Sequence, residues 1–449
     1  MDIDNMHNSF NKREKELRYL NEKLKRKQQK IEELVRQCFE LKEKKFPLDE
    51  IKLPIRLQEP TYDWEEVNES IDSLLSAQVT MGKKVRKFEN LFTKYLDVNF
   101  ATMVNSGSSA NLLSLSVLTN PTLSDRILPG EEIITPATTW ATTVYPIANV
   151  NAIPVIVDVE LETFNIDTDE IEKAITKKTR AIMPVHILGN PCDMKKIMEI
   201  AEKHGLFVIE DCCEAHGAEI QNKKVGNFGD IGTFSFFFSH HISTIEGGVV
   251  ATSNEEYYEL SKALRVFGWI RNLKKREYYA KKYKDIDKRF LFINTGFNVR
   301  PTEIQGAFGV HQIRKLEKFI KIRRENAKFW NSRFSKFSDY LLLQEERKGA
   351  RHVWFGYPLT IMPNCPFTRD ELVKFLEEKG IETRPIQVPN IGKQPSINLI
   401  KNRIVGALKN AEYINKNSFW FGNHQGIGKG ERDYMAECIE EFMKHKVKI

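Results

Sequence analysis

The sequence predicts an α/β fold, in which a mostly parallel β-sheet is covered by helices and followed by a smaller α+β domain. From about Glu65 to Phe319, short β-rich apolar runs alternate with helical patterns, which is typical of a parallel sheet buried on both faces. After a long charged helix predicted from Thr302 to about Phe337, this alternation stops. The 449 residues, 41% of them hydrophobic, suffice for one large core and a second, smaller one.

The first predicted element is an amphipathic helix over about Leu17–Leu41, because apolar residues recur there at heptad spacing. One row is Leu17, Leu24, Ile31 and Cys38, and the other is Leu20, Leu34 and Leu41, interrupted by Lys27. Such a helix either lies on its own domain or forms a coiled coil with a partner chain, and both interpretations stay open. Phe46-Pro47 is expected to end it. The predicted divisions are an N-terminal helical extension at 1–58, a large domain at 59–325 and a small domain at 326–449.

Seven strands are predicted in the large domain from short apolar runs. They lie near Ala101–Val104, Glu132–Thr135, Pro154–Val159, Ala181–His186, Leu206–Glu210, Gly232–Phe236 and Val249–Thr252. Helices are predicted between them, among others at Asn111–Leu118, Thr168–Ala174 and Met194–His204. In the small domain, the pattern indicates a strand at Trp354–Ile361, a helix at Asp370–Lys379 and a strand at Glu382–Ile386.

Composition and charge exclude several classes of protein. No run of eighteen apolar residues occurs and the first thirty residues are highly charged, so neither a membrane span nor a secretory signal is expected. The net charge of +7 is concentrated in residues 12–45, where thirteen basic and seven acidic residues interleave. This pattern is typical of a solvated helix, and we expect no nucleic-acid partner. Six scattered cysteines without a CxxC spacing indicate a reduced, cytoplasmic protein without a metal or iron–sulfur site.

Two motifs with possible chemical roles follow predicted strands, at the edge where open α/β sheets bind ligands. The segment Asn105–Asn111, NSGSSAN, stands between a strand and a helix. Its small residues and free N–H groups suit a phosphate, although an ordinary helix cap looks the same. Asp211 ends another apolar strand. Its carboxylate can keep a ligand nitrogen protonated, or it can simply be a helix cap or a surface acid.

Two further motifs lie at strand ends. His240 and His241 follow an apolar strand and precede Gly247 and Gly248. A metal site would need more ligands than the neighbouring sequence offers, so an imidazole acting as a general acid/base is the simpler interpretation. Trp140 lies within PATTW after the second predicted strand, where it can stack on a planar ligand ring or belong to the core.

In this order, the four motifs resemble the sugar-aminotransferase branch of the type I pyridoxal-phosphate (aspartate aminotransferase) fold, the DegT/DnrJ/EryC1/StrS family. The resemblance runs from about Pro60 to the C-terminus and includes the segment GFNVRPTEIQGAFG at Gly296–Gly309 and RPI at Arg384–Ile386. It implies a seven-stranded mostly parallel sheet, pyridoxal or pyridoxamine 5′-phosphate as cofactor, and a homodimer with shared active sites.

One departure from the family pattern predicts the reaction. Family aminotransferases carry a lysine in the SFxxxK segment that links covalently to the cofactor aldehyde, whereas this sequence reads SFFFSHH and has His240 there. An imidazole cannot form that stable link. The substitution resembles the family's dehydratase branch, which removes the C3 hydroxyl of a nucleotide-linked 4-keto-6-deoxyhexose. Cluster-containing dehydratases have cysteines in the stretch matching Phe267–Phe297, which has none here, so no iron–sulfur cluster is expected.

The resemblance also implies roles for individual residues. His240 would be the acid/base, Asp211 would hold the pyridine nitrogen, and Trp140 would stack on the ring. Glu214 would lie near the ring O3′ or the substrate amine. The cofactor phosphate would be bound by Gly107, Ser108, Ser235 and, from the second subunit, Asn298. Arg271 and Arg384 are candidates for gripping the carboxylate of glutamate, the expected amino donor, or the nucleotide diphosphate; a surface salt bridge is the alternative for each.

Two rival functions stay open at this point. One is a nucleotide-sugar aminotransferase with a relocated lysine, for which Lys223 and Lys224 are the nearest in sequence. The other is a catalytically inactive scaffold or sensor of the same fold that uses the N-terminal helix for interactions.

Overall fold

An eight-stranded sheet forms the centre of the computed structural model, which describes residues 3–43 and 51–447, with the side chains of 12–42 and 51–447. Seven strands are mutually parallel in direction, and Gly248–Thr252 runs antiparallel to both of its neighbours. The strand order across the sheet is Phe100–Val104, Gly248–Thr252, Ile231–Ser235, Phe207–Asp211, Thr179–Ile182, Glu132–Pro136, Ile153–Val157 and Arg403–Ile404.

The seven predicted strands are all present, and the structure adds an eighth. Arg403–Ile404 comes from the C-terminal part of the chain and pairs in parallel with Ile153–Val157. The strand predicted at Ala181–His186 is shorter than expected, because it ends at Ile182. Pro184 lacks the N–H that a ladder position needs; its carbonyl still accepts a hydrogen bond of 2.9 Å from the Asp211 N–H.

Helices cover both faces of the sheet and start where the sequence supplies caps. Ser106 accepts a hydrogen bond of 3.1 Å from the Ser109 N–H at the start of the helix Gly107–Leu118, and Thr302 forms a capping box with Gln305. The helices of this part of the chain are Trp64–Leu75, Lys83–Leu96, Gly107–Leu118, Ala141–Asn149, Thr168–Ala174, Met194–His204, Glu255–Leu264, Arg276–Lys282 and Glu303–Phe334. Short 3₁₀ turns lie at Ile187–Gly189, Ile270–Asn272 and Lys288–Phe290.

The long helix Glu303–Phe334 is shared by both predicted domains, since the boundary at 326 falls within it. Its last turns bury Trp330 and Phe334 against the small domain. That domain has an antiparallel sheet in the order Leu341–Leu343, Gly356–Ile361, Ser418–Gly422 and Thr383–Pro385. Its helices are Arg369–Glu378, Lys409–Asn417 and Lys429–Lys446, with 3₁₀ turns at Ser335–Phe337, Ile391–Lys393 and Pro395–Leu399.

Two details of the small domain differ from simple expectation. The strand predicted from Trp354 begins only at Gly356, because Trp354 has a left-handed backbone with φ of 49°. Ile55, which precedes the large domain in sequence, pairs with the small domain instead: its N–H donates to the Gly380 carbonyl at 2.8 Å. A small third sheet joins Ala350–Arg351, Glu219–Ile220 and Lys223–Lys224.

The predicted N-terminal helix is present as Ile3–Glu43. Ile31, Val35 and Phe39, four residues apart, are half-buried on one face, where the helix contacts Trp64–Leu75. The leucines of both predicted heptad rows are at least half exposed, namely Leu17, Leu20, Leu24, Leu34 and Leu41. Phe46-Pro47, the predicted end, lies outside the described residues. Among the described helices, none has the length and apolar character required to cross a bilayer.

Candidate active site

The four motifs that follow strand ends lie together at one edge of the main sheet. The strands ending at Val104, Pro136, Asp211 and Ser235 all point towards this edge, which is where ligands bind in open α/β sheets. The turns after them enclose a cavity of about 360 Å³. Eight of the predicted site residues line it: Gly107, Ser108, Trp140, Asp211, Glu214, Ser235, His240 and Arg384.

Backbone N–H groups and a serine form an anion cradle at one end of the cavity. Gly107 and Ser108 open the helix Gly107–Leu118, whose N-terminus carries partial positive charge. Gly107 lies directly against Ser235, since a Cβ at Gly107 would come within 2.4 Å of the Ser235 Cβ. Gly248 on the intervening strand would likewise place a Cβ 2.3 Å from the Ser106 carbonyl oxygen. The glycines therefore let helix and strands close around a small oxyanion.

Asp211 is buried at the floor of the cavity and is held by three hydrogen bonds. Its Oδ2 accepts from Asn111 Nδ2 at 2.9 Å and from Thr143 Oγ1 at 2.7 Å, while its Oδ1 accepts from the Cys213 N–H at 3.1 Å. Two of the donors, Asn111 and Thr143, lie on the helices Gly107–Leu118 and Ala141–Asn149, which begin after other strands of the sheet. The carboxylate is thus fixed in orientation, with lone pairs left for a protonated ring nitrogen.

Trp140 and Glu214 lie on different parts of the cavity wall. Trp140 is 54% exposed, so the interpretation of this residue as core is wrong, and its ring can cover a planar ligand. Glu214 is buried and accepts a hydrogen bond of 2.7 Å from the Leu188 N–H. Burial raises the pKa of Glu214 to about 7, although the hydrogen bond from the Leu188 N–H stabilises the carboxylate and acts to lower the pKa. Near neutral pH this carboxyl group can therefore donate or accept a hydrogen bond.

His240 faces the cavity, whereas His241 points into the protein. His241 is fully buried and its Nε2 bonds to the Val353 carbonyl at 3.1 Å. His240 Nδ1 is enclosed without a hydrogen-bond partner, which leaves Nε2 for a ligand in the cavity. Burial, then the charge of the Arg323 guanidinium, lowers the pKa of His240 to about 3. The imidazole is therefore neutral at physiological pH, in the form of a base.

Two predicted residues do not line this cavity. Asn298 is exposed and accepts a hydrogen bond of 2.9 Å from Arg300 Nε. Arg271 is exposed as well, with its guanidinium carbon 5.1 Å from the centre of the Trp269 ring. Lys223 and Lys224 lie over the rings of Phe228 and Tyr95. Among the described residues, no lysine lines the cavity.

Several cavity residues were not predicted from the sequence. They include Ser106, Thr143, Cys213, Ser239, Glu246, Phe355 and Gln387. Most stand within a few residues of a predicted motif, so a wider window around each strand end would have found them. Gln387 directly follows the RPI motif at Arg384–Ile386, whereas Phe355 comes from the small domain, more than a hundred residues beyond the motifs at the strand ends, and no local signal marks it.

A buried group of possible metal ligands, His186, Glu210 and Cys212, lies behind the sheet edge. Glu210 accepts from the N–H groups of Gly226, Phe228 and Gly229 at 2.7–2.8 Å, and His186 Nε2 lies 3.3 Å from the same carboxylate. His186 Nδ1 accepts from the Cys192 N–H at 3.0 Å. These hydrogen bonds satisfy the carboxylate and the imidazole without an ion.

The fold and the cavity together define a protein that binds a small anionic, planar ligand at the carboxyl edge of a mostly parallel sheet. Residues 60–440 match the model of the DegT/DnrJ/EryC1/StrS aminotransferase family. The chain belongs to that family.

Relatives that carry the name of a dehydratase are similar over most of the chain. The GDP-4-keto-6-deoxy-D-mannose 3-dehydratase of Yersinia pseudotuberculosis is 40% identical over 378 residues, which are 84% of this chain and 95% of the relative. The dTDP-4-dehydro-2,6-dideoxy-D-glucose 3-dehydratase of Saccharopolyspora spinosa is 37% identical over 401 residues, 87% of each chain.

A solved structure is similar over most of the chain. The E. coli GDP-4-keto-6-deoxy-D-mannose-3-dehydratase with bound hydrated PLP has a TM-score of 0.81 and 37% identity, covering 86% of this chain and all of that one. A structure of GDP-4-keto-6-deoxymannose-3-dehydratase with a trapped PLP–glutamate geminal diamine has the same TM-score and identity, covering 86% of this chain and 99% of that one.

Proposed function

We propose that this protein is a pyridoxamine-phosphate-dependent dehydratase that removes the C3 hydroxyl of a nucleotide-linked 4-keto-6-deoxyhexose. The observation that carries the proposal is the neutral imidazole of His240 in a cavity that no lysine of the described chain lines. Without a lysine, the cofactor is held only by non-covalent contacts, and an acid/base takes the place of the covalent link. The dehydratase relatives support this reaction over amino transfer.

The residues present fit a vitamin B6 phosphate. Gly107, Ser108 and Ser235 form a cradle that a single added Cβ would fill, which suits the phosphate. Asp211 would bind the protonated pyridine nitrogen, and Trp140 would cover the ring face. When bound, the cofactor supplies a primary amine for the sugar ketone and a ring that takes up electrons.

His240 has the proton-transfer role in this proposal. Its Nε2 accepts a proton in the first half of the reaction and delivers it to the C3 oxygen, which leaves as water. The low pKa of the imidazole means that the resting side chain is unprotonated, and that the imidazolium formed is a strong acid towards the leaving hydroxyl. One side chain therefore performs both transfers on the same face of the ligand.

Charged groups at the cavity would handle the other reactants. Glu214, with a pKa of about 7, would hydrogen-bond the ring O3′ or the substrate amine. Arg384 is exposed at the rim and has no ion-pair partner among the described residues, so it is available for the carboxylate of glutamate or for the nucleotide diphosphate. Glutamate is the proposed amino donor that restores the amine form of the cofactor.

We further propose a homodimer in the reducing cytoplasm. Asn298 lies outside the cavity of its own chain and would complete the phosphate site of a second copy, and Arg271 would reach a shared site in the same way. All six cysteines are free thiols, which supports a reducing compartment. Neither nucleic acid nor a membrane is a proposed partner.

The direct test is turnover of a panel of GDP-, CDP- and dTDP-linked 4-keto-6-deoxyhexoses with pyridoxamine phosphate and glutamate. Mass spectrometry should show loss of one oxygen without gain of nitrogen. A product that instead gains an amino group would identify an aminotransferase, and absence of both turnover and cofactor binding would favour the inactive scaffold.

His240→Asn separates catalysis from folding. Loss of general acid/base catalysis should lower kcat by about 10²–10⁴-fold, while cofactor affinity and thermal stability stay close to wild type. The matched control is His204→Asn, which changes an exposed histidine at a helix end. Undiminished turnover in His240→Asn would remove the assigned role.

A further inference from the structure

A buried arginine stands behind the histidine pair without a carboxylate partner. Arg323 is fully buried in the helix Glu303–Phe334. Its Nη1 donates to the carbonyls of Phe355 at 2.8 Å, Trp354 at 3.3 Å and Asn423, and its Nη2 donates to Gln58 Oε1 at 3.4 Å. No acidic side chain of the described chain pairs with it. Burying an unpaired guanidinium is expensive, so a compensating use is expected.

The arginine fixes a short segment that touches the active site. We call Val353–Phe355 the bridging segment. It crosses from the small to the large domain, because the Val353 N–H donates to Gly189 at 3.0 Å and the Phe355 N–H donates to Leu188 at 2.8 Å. Trp354 in its middle is held with φ of 49°, a conformation that costs a non-glycine residue energy and persists only when its surroundings enforce it.

The bridging segment in turn positions both histidines. The Val353 carbonyl accepts from His241, and the Phe355 ring lies 5.4 Å from the ring of His240 and 5.8 Å from that of His241, measured between centroids. A displaced segment would therefore release the His240 ring from one of its walls.

The charge of Arg323 acts on the same histidines. It contributes to lowering the pKa of His240 and His241, for both of which burial is the larger cause, and it is the last of the four causes that act on the pKa of His216. The other charged groups around His240 are Asp211, Glu214, Glu246 and Arg384, all lining the cavity, and His216, whose ring centroid lies 5.9 Å away. Arg323 is fully buried and lowers the pKa of both members of the pair.

We propose that Arg323 is a positioning residue for His240: its hydrogen bonds clamp the bridging segment against the histidine pair, and its buried guanidinium places a positive charge behind them. This rests on the proposed function, since the neutral base is what the dehydration needs. A consequence follows for the second proton transfer, because the same charge makes the imidazolium more acidic and favours delivery of the proton to the leaving oxygen.

Three variants separate the clamp from the charge. Arg323→Gln removes the charge and part of the clamp. Arg323→Lys keeps the charge but loses the forked donors. Gln58→Glu keeps the arginine and places a carboxylate 3.4 Å from its Nη2, at the position of the present amide oxygen, but it also removes the hydrogen bond of 3.4 Å that Gln58 Nε2 donates to the Phe355 carbonyl. Gln221→Glu, on an exposed turn, is the matched control for the added charge.

The readout is the protonated fraction of His240 in the cofactor-free protein, from ¹⁵N chemical shifts of the imidazole assigned with His240→Asn. A pKa of about 3 leaves a few per cent protonated at pH 4.5; a rise of about one unit would bring this to about a quarter. We expect a larger protonated fraction in Arg323→Gln and Gln58→Glu, and no change in Arg323→Lys or Gln221→Glu. Arg323→Lys should instead lower kcat with little change in KM, as the clamp loosens.

The outcomes are distinguishable from failure of the proposed function. If Arg323→Gln does not fold, as judged by near-ultraviolet circular dichroism, Gln58→Glu carries the test alone. An unchanged protonated fraction in folded Gln58→Glu would overturn the electrostatic role, and wild-type kcat in Arg323→Lys would overturn the clamp. A protein that turns over no sugar would refute the proposed function, yet the titration of His240 would still report on Arg323.

Discussion

Replacing Glu214 by glutamine should change how the stability of the protein depends on pH. The pKa of this buried carboxyl group is raised to about 7 in the folded protein, from 4.5 in an exposed chain. The folded state therefore holds the proton over a pH range in which the unfolded chain has released it, so this group lowers stability as pH rises from 4.5 to 7. Below 4.5 both states are protonated, and above 7 both are ionised.

The size of the effect follows from the difference in pKa. A difference of about 2.5 units at 1.36 kcal/mol each corresponds to about 3 kcal/mol. The glutamine side chain would keep the oxygen that accepts from the Leu188 N–H, now at 2.7 Å, but it does not ionise. The variant should therefore match wild type near pH 4.5 and exceed its free energy of unfolding by about 3 kcal/mol at pH 8.

Urea unfolding of the cofactor-free protein at equal chain concentration, at several pH values from 5 to 8, measures this difference. Histidines with lowered pKa values also make stability pH-dependent, but they are common to both proteins and cancel in the difference. Glu440→Gln is the control: the pKa of Glu440 is lowered to about 2 by Arg333 and Lys336, so its contribution is constant above pH 5. A Glu214→Gln difference as flat as that of Glu440→Gln would refute the reasoning.

Two further predictions concern the phosphate cradle and Trp140. Gly107→Ala places a Cβ 2.4 Å from that of Ser235 and should lower the affinity for pyridoxamine phosphate at least about tenfold, as measured by calorimetry. The control is Gly430→Ala, where no atom lies nearer than 3.8 Å to the added Cβ, and the affinity should stay unchanged. Equal effects of the two variants would contradict the cradle. Trp140→Ala should weaken cofactor binding without lowering the melting temperature, because the side chain is 54% exposed, whereas Trp330→Ala in the core should cost about 3–5 kcal/mol. Comparable destabilisation in both tryptophan variants would mean that Trp140 is structural.

Much of the sheet could be predicted because its strands are buried on both faces. Ile153–Val157 is apolar throughout, Gly248–Thr252 is apolar except for Thr252, and both strands are buried, so short hydrophobic runs identify them directly. Arg403–Ile404 does not meet this criterion, since it is two residues long and contains a charged residue, Arg403, whose guanidinium pairs with Glu132. A strand this short is recognised by its pairing with a neighbouring strand, and its own sequence shows no hydrophobic pattern.

The residues of the candidate site likewise fall into those that the sequence could predict and those that it could not. Residues that follow strand ends could be predicted, because parallel strands bring their carboxyl ends to one edge. Phe355 and Arg323 could not, because their relation to His240 arises from packing between domains and from the left-handed turn at Trp354. The glycine pair at Gly247 and Gly248 stood out in the sequence, but only strand pairing shows that Gly248 lies opposite both Val104 and Ser235.

The buried charge behind the cavity also bears on how one fold can serve two reactions. Burial and the charge of Arg323 disfavour protonation of any base at position 240, so the pKa of a lysine there would be lowered for the same reason that the pKa of His240 is lowered. The surroundings therefore need not change when the side chain does. What changes is whether that base can bond covalently to a carbonyl carbon, which an amine does and an imidazole does not stably do. The side chain at position 240 would then decide whether the enzyme transfers an amino group or removes a hydroxyl group, while Arg323 and the bridging segment would position that side chain in both reactions.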